Sequence, residues 1–151
     1  MNDDTVGIAC DWGTSNLRVY RLGPNAKIIE KRDFPAGITA IKNKKFEDTF
    51  VKATQDWLDE YTDIPITISG MAGSRQGWKE APYLPCPANV LTIANNLTPI
   101  RLRSGQDSLV NARAILYKQQ RSTRCDARRG SSNSWRFVQY QLRKNNDLLA
   151  G

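Results

Sequence analysis

The stretch that most constrains this chain is residues 9–18, Ala-Cys-Asp-Trp-Gly-Thr-Ser-Asn-Leu-Arg. An apolar run, Val6 to Cys10, leads in, and alternating Leu17, Val19 and Leu22 lead out. Between them lie Gly13, Thr14, Ser15 and Asn16, small residues that tolerate a tight reversal. The pattern predicts a β-hairpin with a polar turn. What separates it from an ordinary hairpin is Asp11 at the end of the first strand, followed by a glycine and three small hydrogen-bonding residues. Backbone N–H groups in such a turn can converge on an anion. Gly13 lets a phosphate approach without a Cβ in the way, and Thr14, Ser15 and Asn16 add side-chain donors. Asp11 suits Mg²⁺, directly or through water, against that phosphate. Arg18 supplies a further fixed cation. The plainer reading of the same residues is a surface hairpin in which Asp11 and Asn16 only shape the turn.

Around this hairpin the chain reads as the opening of an α/β lobe. Gly23-Pro24-Asn25 is a turn, and Lys27 to Arg32 suits a third strand antiparallel to the second. Phe34 to Ile38 reads as a loop. From Phe46 to Tyr61 the period changes. Phe46, Phe50, Ala53, Trp57, Leu58 and Tyr61 form an apolar stripe, with Lys45, Glu47, Asp48, Lys52, Asp56 and Asp59 mostly outside it, which predicts an amphipathic helix. Ile64 to Ser69 then predicts a strand, with Pro65 tolerable near its start. Three strands, a helix and a further strand make a mixed sheet that opens with antiparallel strands.

Gly70-Met71-Ala72-Gly73-Ser74-Arg75-Gln76-Gly77-Trp78 follows that strand. A glycine-rich loop at the exit of a sheet strand is where α/β folds place ligand sites. Gly70 and Gly73 allow close backbone approach. Ser74, Arg75 and Gln76 can hydrogen-bond a polyhydroxy acid, and Arg75 can pair with its carboxylate. Trp78 either stacks against a sugar or anchors the loop in the core. Ala81 to Ala88, with three prolines, is extended and stiff.

The wording DWGTSNLR resembles the first phosphate loop of the sugar-kinase, Hsp70 and actin superfamily, and within it the 2-dehydro-3-deoxygalactonokinases. GMAGSRQGWKEAPYLPCPA resembles that family's second signature and follows at a familiar distance. The resemblance runs from about Val6 to about Leu97. It implies the incomplete N-terminal lobe of a ribonuclease H-like fold and ATP-dependent phosphorylation of 2-dehydro-3-deoxy-D-galactonate, with ATP and Mg²⁺ as cofactors. By position, it implies that Asp11, Gly13, Thr14, Ser15 and Asn16 contact phosphate and Mg²⁺. Gly73, Ser74 and Trp78 are implied near the acid-sugar pocket. The family's kinases have two lobes, so a chain carrying one is expected to be inactive alone, and no residue here is named as the base.

Beyond about residue 100 both the resemblance and the patterning fail. Residues 1–100 carry 11 Lys+Arg and 12 Asp+Glu, whereas residues 101–151 carry 11 Lys+Arg and 3 Asp+Glu. The net charge of +7 therefore lies wholly in the last third. This division predicts a partial kinase lobe over 1–100 and an irregular basic tail over 101–151. Asn111 to Gln120 reads as a short helix within it. From Gln119 to Ser134 there is almost no apolar content to offset chain entropy. Arg124 to Ser132, RCDARRGSS, back-translates so that a neighbouring frame spells DVMRGEE, which resembles a downstream motif of the family. The same shift near Asn146 to Leu149 gives Thr-Ile-Tyr. These matches suggest translation out of frame.

A competing reading is a nucleic-acid-binding tail. Arg121, Arg124, Arg128, Arg129, Arg136, Arg143 and Lys144 interleave with Trp135 and Tyr140. They show neither a repeat nor helical spacing, which argues against nucleic acid as a partner. Another sugar kinase of the same superfamily is the third reading, and the GMAGS…GW…APY run argues against it. No apolar run of about 18 residues is present, and the acidic start Met1-Asn2-Asp3-Asp4 lacks the features of a secretory signal. A cytoplasmic protein is expected. Cys10, Cys86 and Cys125 are odd in number and far apart, so they read as buried small hydrophobes or free thiols. With no histidine in the chain, Ser-His and Cys-His catalysis are excluded within it.

Overall fold

The computed structural model describes residues 4–62, 64–84, 96–103, 112–114 and 116–117. A four-stranded sheet forms its centre: β1 (Gly7–Trp12), β2 (Leu17–Leu22), β3 (Ile28–Phe34) and β4 (Ile66–Gly70), in the order β3-β2-β1-β4. β1 pairs antiparallel with β2, and β2 with β3, while β4 joins β1 in parallel. A parallel neighbour needs a crossover, and α1 (Phe46–Glu60) lies in that connection. The mixed sheet and the helix fall where the sequence patterns predict them. β4 begins two residues later than expected, and Pro65 just before it accepts a hydrogen bond from Ile8 N at 3.0 Å.

Strand alternation sorts the two faces. Ile8, Cys10 and Trp12 of β1, Leu17 and Val19 of β2, and Ile66 and Ile68 of β4 are all buried in one cluster. α1 contributes Phe46, Phe50, Ala53 and Trp57 to the same cluster, a stripe at i, i+4, i+7 and i+11. Ala9 and Tyr20 belong to a smaller cluster with Leu22 and Ala26. The helix starts without a side-chain cap, and Glu47 and Asp48 in its first turn suit the positive end of its dipole. Its buried Thr54 hydroxyl donates back to Phe50 O at 2.8 Å.

α1 is lashed to β3 by one arginine. Arg32 donates to both Asp56 oxygens at 2.7 and 2.6 Å, donates to Glu30 at 2.7 Å, and lies 4.1 Å over the Trp57 ring. Glu47 differs from expectation. It is buried, because its carboxylate accepts from the Arg103 backbone N–H and pairs with Arg103 Nε at 3.1 Å.

Four short strands follow: β5 (Tyr83–Leu84), β6 (Thr98–Ile100), β7 (Ala112–Ala114) and β8 (Leu116–Tyr117). β5 pairs with β8 in parallel, and β6 with β7 antiparallel, while β7 runs close to β4. Ile100 and Leu102 are buried in the main core. The expected helix over Asn111 to Gln120 is corrected, because its described residues form β7 and β8 instead. Ala112, Ile115 and Leu116 have the i, i+3, i+4 spacing of a helix face over too few residues to be decisive, and pairing of β7 with β6 settles the strand. Cys86, Cys125 and the arginines from Arg121 onward lie outside the described residues.

Candidate functional site

β1 and β4 run parallel and end side by side, with Asp11 opposite Ser69 and Trp12 opposite Gly70. The hairpin loop and the glycine-rich loop therefore leave the sheet at one edge, at the carboxyl ends of neighbouring parallel strands. Two motifs some sixty residues apart in sequence are joined by this register. Gly70 fixes the junction. Its φ of 91° and ψ of −144° are essentially glycine-only, and a Cβ there would stand 2.6 Å from Trp12 O and 3.3 Å from Asp11 Oδ1. The Ser69 hydroxyl donates to Cys10 O at 3.1 Å, a second tie between the strands.

Asp11 is half-exposed at this edge. Its Oδ2 lies 3.4 Å from Arg18 Nη1, and Arg18 Nε donates to Asp33 Oδ2 at 3.0 Å. Asp11, Arg18 and Asp33 thus form a cross-strand row over β1, β2 and β3, in agreement with the ladder register. Asp33 foremost, and Asp11 with it, holds the Arg18 guanidinium more firmly protonated than usual. Arg18 is therefore a bridge between two carboxylates as well as a cation at the site. Cys10, next to Asp11, is a buried free thiol whose pKa burial pushes well above the ordinary value.

At the hairpin tip Gly13 N donates to Asn16 O at 2.9 Å. The segment after β3 packs directly on this tip. Ser15 O accepts from Gly37 N at 3.0 Å, Gly13 O from Ile38 N at 3.0 Å, and Thr14 O from Thr39 N at 3.3 Å and Thr39 Oγ1 at 2.8 Å. Trp12 Nε1 donates to Ala36 O at 2.8 Å. Thr14 and Ser15 are exposed. Among the described residues, the backbone N–H groups of Thr14, Ser15 and Asn16 meet no acceptor.

The second loop makes a 3-10 turn over Met71–Gly73, and Ser74 N and Gly77 N then close tight turns on Met71 O and Ser74 O. Gly73 is buried, and its carbonyl accepts from Ala81 N at 2.9 Å. Ser74 is buried, and its Oγ finds no partner among the described residues. A hydroxyl held dry and unbonded costs stability unless something fills it. Arg75 and Gln76 are exposed. Trp78 packs into the core, edge-on to Trp12 at 6.1 Å and tilted against Phe50 at 6.0 Å. Of the two roles open to Trp78, the core contacts carry the anchoring one.

Asp33, Gly37 and Thr39 are site residues that the sequence pattern does not single out. Gly37 alone leaves a trace, a glycine after proline and alanine in an otherwise apolar loop. Its partners are backbone carbonyls, and these have no residue signature.

The sequence model of the family described as 2-keto-3-deoxy-galactonokinase matches residues 11–131. The chain is 40% identical over 93 residues to the 2-dehydro-3-deoxygalactonokinase of Escherichia coli (strain K12), covering 62% of this chain and 31% of that relative. It is 37% identical over 92 residues to a Rhizobium meliloti (strain 1021) protein named as a probable 2-dehydro-3-deoxygalactonokinase, DgoK1, covering 61% of this chain and 30% of that one. In three dimensions it is similar to the crystal structure of a Sinorhizobium meliloti protein assigned as a 2-dehydro-3-deoxygalactonokinase. The TM-score is 0.61 at 33% identity, over 78% of this chain and 36% of that one. The chain thus spans about a third of the length of the curated relatives it matches. The resemblance carried by the two motifs is borne out.

Proposed function

Because this chain belongs to the 2-keto-3-deoxy-galactonokinase family, we propose that it is the phosphate-handling part of a sugar-acid kinase that transfers phosphate from ATP to 2-dehydro-3-deoxy-D-galactonate. One observation carries the reading: the parallel pairing of β1 with β4 puts Asp11 and the hairpin tip beside the Gly70 loop. Phosphoryl transfer is catalysed mainly by positioning and charge stabilisation. Thr14, Ser15 and Asn16 offer amides to the phosphates, with Gly13 in the same turn and Arg18 adding charge. A lone half-exposed carboxylate such as Asp11 fits Mg²⁺ held largely by water and phosphate oxygens, the usual habit of that ion. Among the described residues no cluster of three or more metal-ligating side chains is found, and this mode of binding needs none. When bound, the ion would offset charge on the phosphates.

On the acceptor side, Ser74 Oγ is a dry, unbonded hydroxyl, Arg75 an exposed cation able to pair with a carboxylate, and Gly73 the backbone beside them. Trp78 stabilises this loop from below. The strand order β3-β2-β1-β4 with a parallel β4 supports the finer assignment of the lobe as ribonuclease H-like. Among the described residues no helix is long and apolar enough to cross a membrane.

The test is binding and turnover in parallel. The purified chain should bind Mg²⁺ with inorganic tripolyphosphate, and Asp11→Ala should weaken that binding by about tenfold, the scale of one lost charged interaction. With ATP, Mg²⁺ and 2-dehydro-3-deoxygalactonate it should give no turnover. Turnover abolished by Asp11→Ala would overturn the incompleteness of the site. Tripolyphosphate binding indifferent to Asp11 would overturn the phosphate reading itself.

A further inference from the structure

We propose that Ala36 to Thr39 is a strap that presets the hairpin tip for an anion, with Gly37 and Thr39 as its positioning residues. The inference rests on the phosphate reading above and adds what makes that loop competent.

A trans peptide holds its C=O and the following N–H on opposite sides of one plane. The carbonyls of Gly13, Thr14 and Ser15 all point into the strap, where Ile38 N, Thr39 N with Thr39 Oγ1, and Gly37 N hold them. The N–H groups of the same three peptide planes belong to Thr14, Ser15 and Asn16. They must therefore face away from the strap, and they are the three tip amides that meet no acceptor among the described residues. In a two-residue hairpin turn the Gly13 carbonyl would accept from Asn16 N–H and consume it. Here Ile38 N takes that carbonyl at 3.0 Å and Asn16 N–H is released. Four bonds from the strap thus convert a self-satisfied turn into a row of donors. Such preorganised amides bind anions without reorganising when the ligand arrives.

The strap can approach this closely only because residue 37 is glycine. A Cβ on Gly37 would stand 2.2 Å from Thr14 O and 2.3 Å from Ser15 C, both backbone atoms that cannot swing aside. Trp12, buried under the tip, fixes the strap's other end through Ala36 O.

The full chain is titrated with tripolyphosphate and Mg²⁺ by calorimetry and by amide NMR, as wild type, Thr39→Val, Thr39→Ser and Gly37→Ala. Wild type should show its largest amide shifts at Thr14, Ser15 and Asn16. Thr39→Val should weaken binding roughly three- to tenfold, one hydrogen bond's worth, with a melting temperature close to wild type. Thr39→Ser, which keeps the hydroxyl, should restore affinity to within about twofold. Gly37→Ala should lose most of the affinity. If it fails to fold, the Thr39 pair decides alone. Wild-type affinity in both Thr39→Val and a folded Gly37→Ala overturns the strap and leaves the phosphate reading intact. No tripolyphosphate binding by the wild-type chain overturns that reading and the strap with it.

Discussion

Gly13 and Gly70 flank the same carboxylate, and their own chain requires only one of them. Gly70 sits at positive φ with Trp12 O 2.6 Å from where its Cβ would be, so an alanine there has to break the β1–β4 junction. Gly70→Ala should cost at least about 2 kcal/mol of stability, the sum of a glycine-only backbone and a backbone clash. Gly13 has no such constraint: a Cβ would meet only Asn16 O at 3.6 Å, an ordinary contact. If its smallness serves a ligand and not the fold, Gly13→Ala should melt within about 0.5 kcal/mol of wild type while losing roughly tenfold in tripolyphosphate affinity. Thermal melts beside calorimetric titrations of the two variants separate the roles. A stable Gly13→Ala that binds normally would return Gly13 to a turn-shaping role. Ser74 makes a complementary case, because its buried Oγ has no partner among the described residues. Ser74→Ala removes an unsatisfied group and should leave the fold as stable as wild type, or slightly more so, in the same melts.

At the scale of elements, α1 and β3 are held together by Arg32, and the pairing carries a pH signature. Asp56, hydrogen-bonded by Arg32, has its carboxyl held below the ordinary value. Between that lowered value and the ordinary one of about 3.9, the unfolded chain binds the extra proton and the folded one does not. Stability therefore rises with pH across that window and is lost as pH falls through it. Asp56→Asn should be less stable than wild type at pH 7, and the gap should narrow as pH falls below the ordinary carboxyl value and close once it has passed the lowered one. The effect is modest, because both partners are partly exposed. Melting curves of the two proteins from pH 2 to 7 would show it, and a gap that persists in acid would assign the loss to packing instead. Such local pairings explain what the sequence could reveal. The 3.6-residue stripe of α1 and the alternation in β1, β2 and β3 are local periods, so those elements are legible from residue order. The tie of Glu47 to Arg103 and the strap on the hairpin tip are long-range, and mostly backbone, and leave little residue pattern. The same holds for β1 beside β4: each motif reads separately, and only the register shows that Asp11 and Gly70 touch. Ala112, Ile115 and Leu116 mislead for the opposite reason, since spacing over so few residues does not separate a short helix from a strand that a partner completes.

At the scale of the molecule, phosphoryl transfer needs groups from both sides of a cleft, and this chain spans 31% of the Escherichia coli relative. Residues at and just beyond 100 pack on the lobe. Ile100 and Leu102 are in its core, Glu47 holds Arg103, and the family match runs to residue 131. The wording and the charge nevertheless change over that same stretch, with 11 basic residues against 3 acidic ones beyond residue 100. A tail translated out of frame would account for the loss of acidic residues and for the run from Gln119 to Ser134, which has almost no apolar content. Arg124 to Ser132, RCDARRGSS, has permitted codons whose next frame reads DVMRGEE. We therefore expect the encoding DNA, read one nucleotide out of phase from the region of codon 100 onward, to restore the family sequence through DVMRGEE. Repairing the frame by one nucleotide should then give a product whose kinase activity depends on Asp11 and exceeds that of the present chain. Sequencing the gene decides the first point, and assay of the repaired product decides the second. A shifted frame no closer to the family than the translated one would make the basic segment a genuine part of this protein. Its arginines would then need a partner, and a salt-dependent gel shift with nucleic acid is the measurement that would look for one.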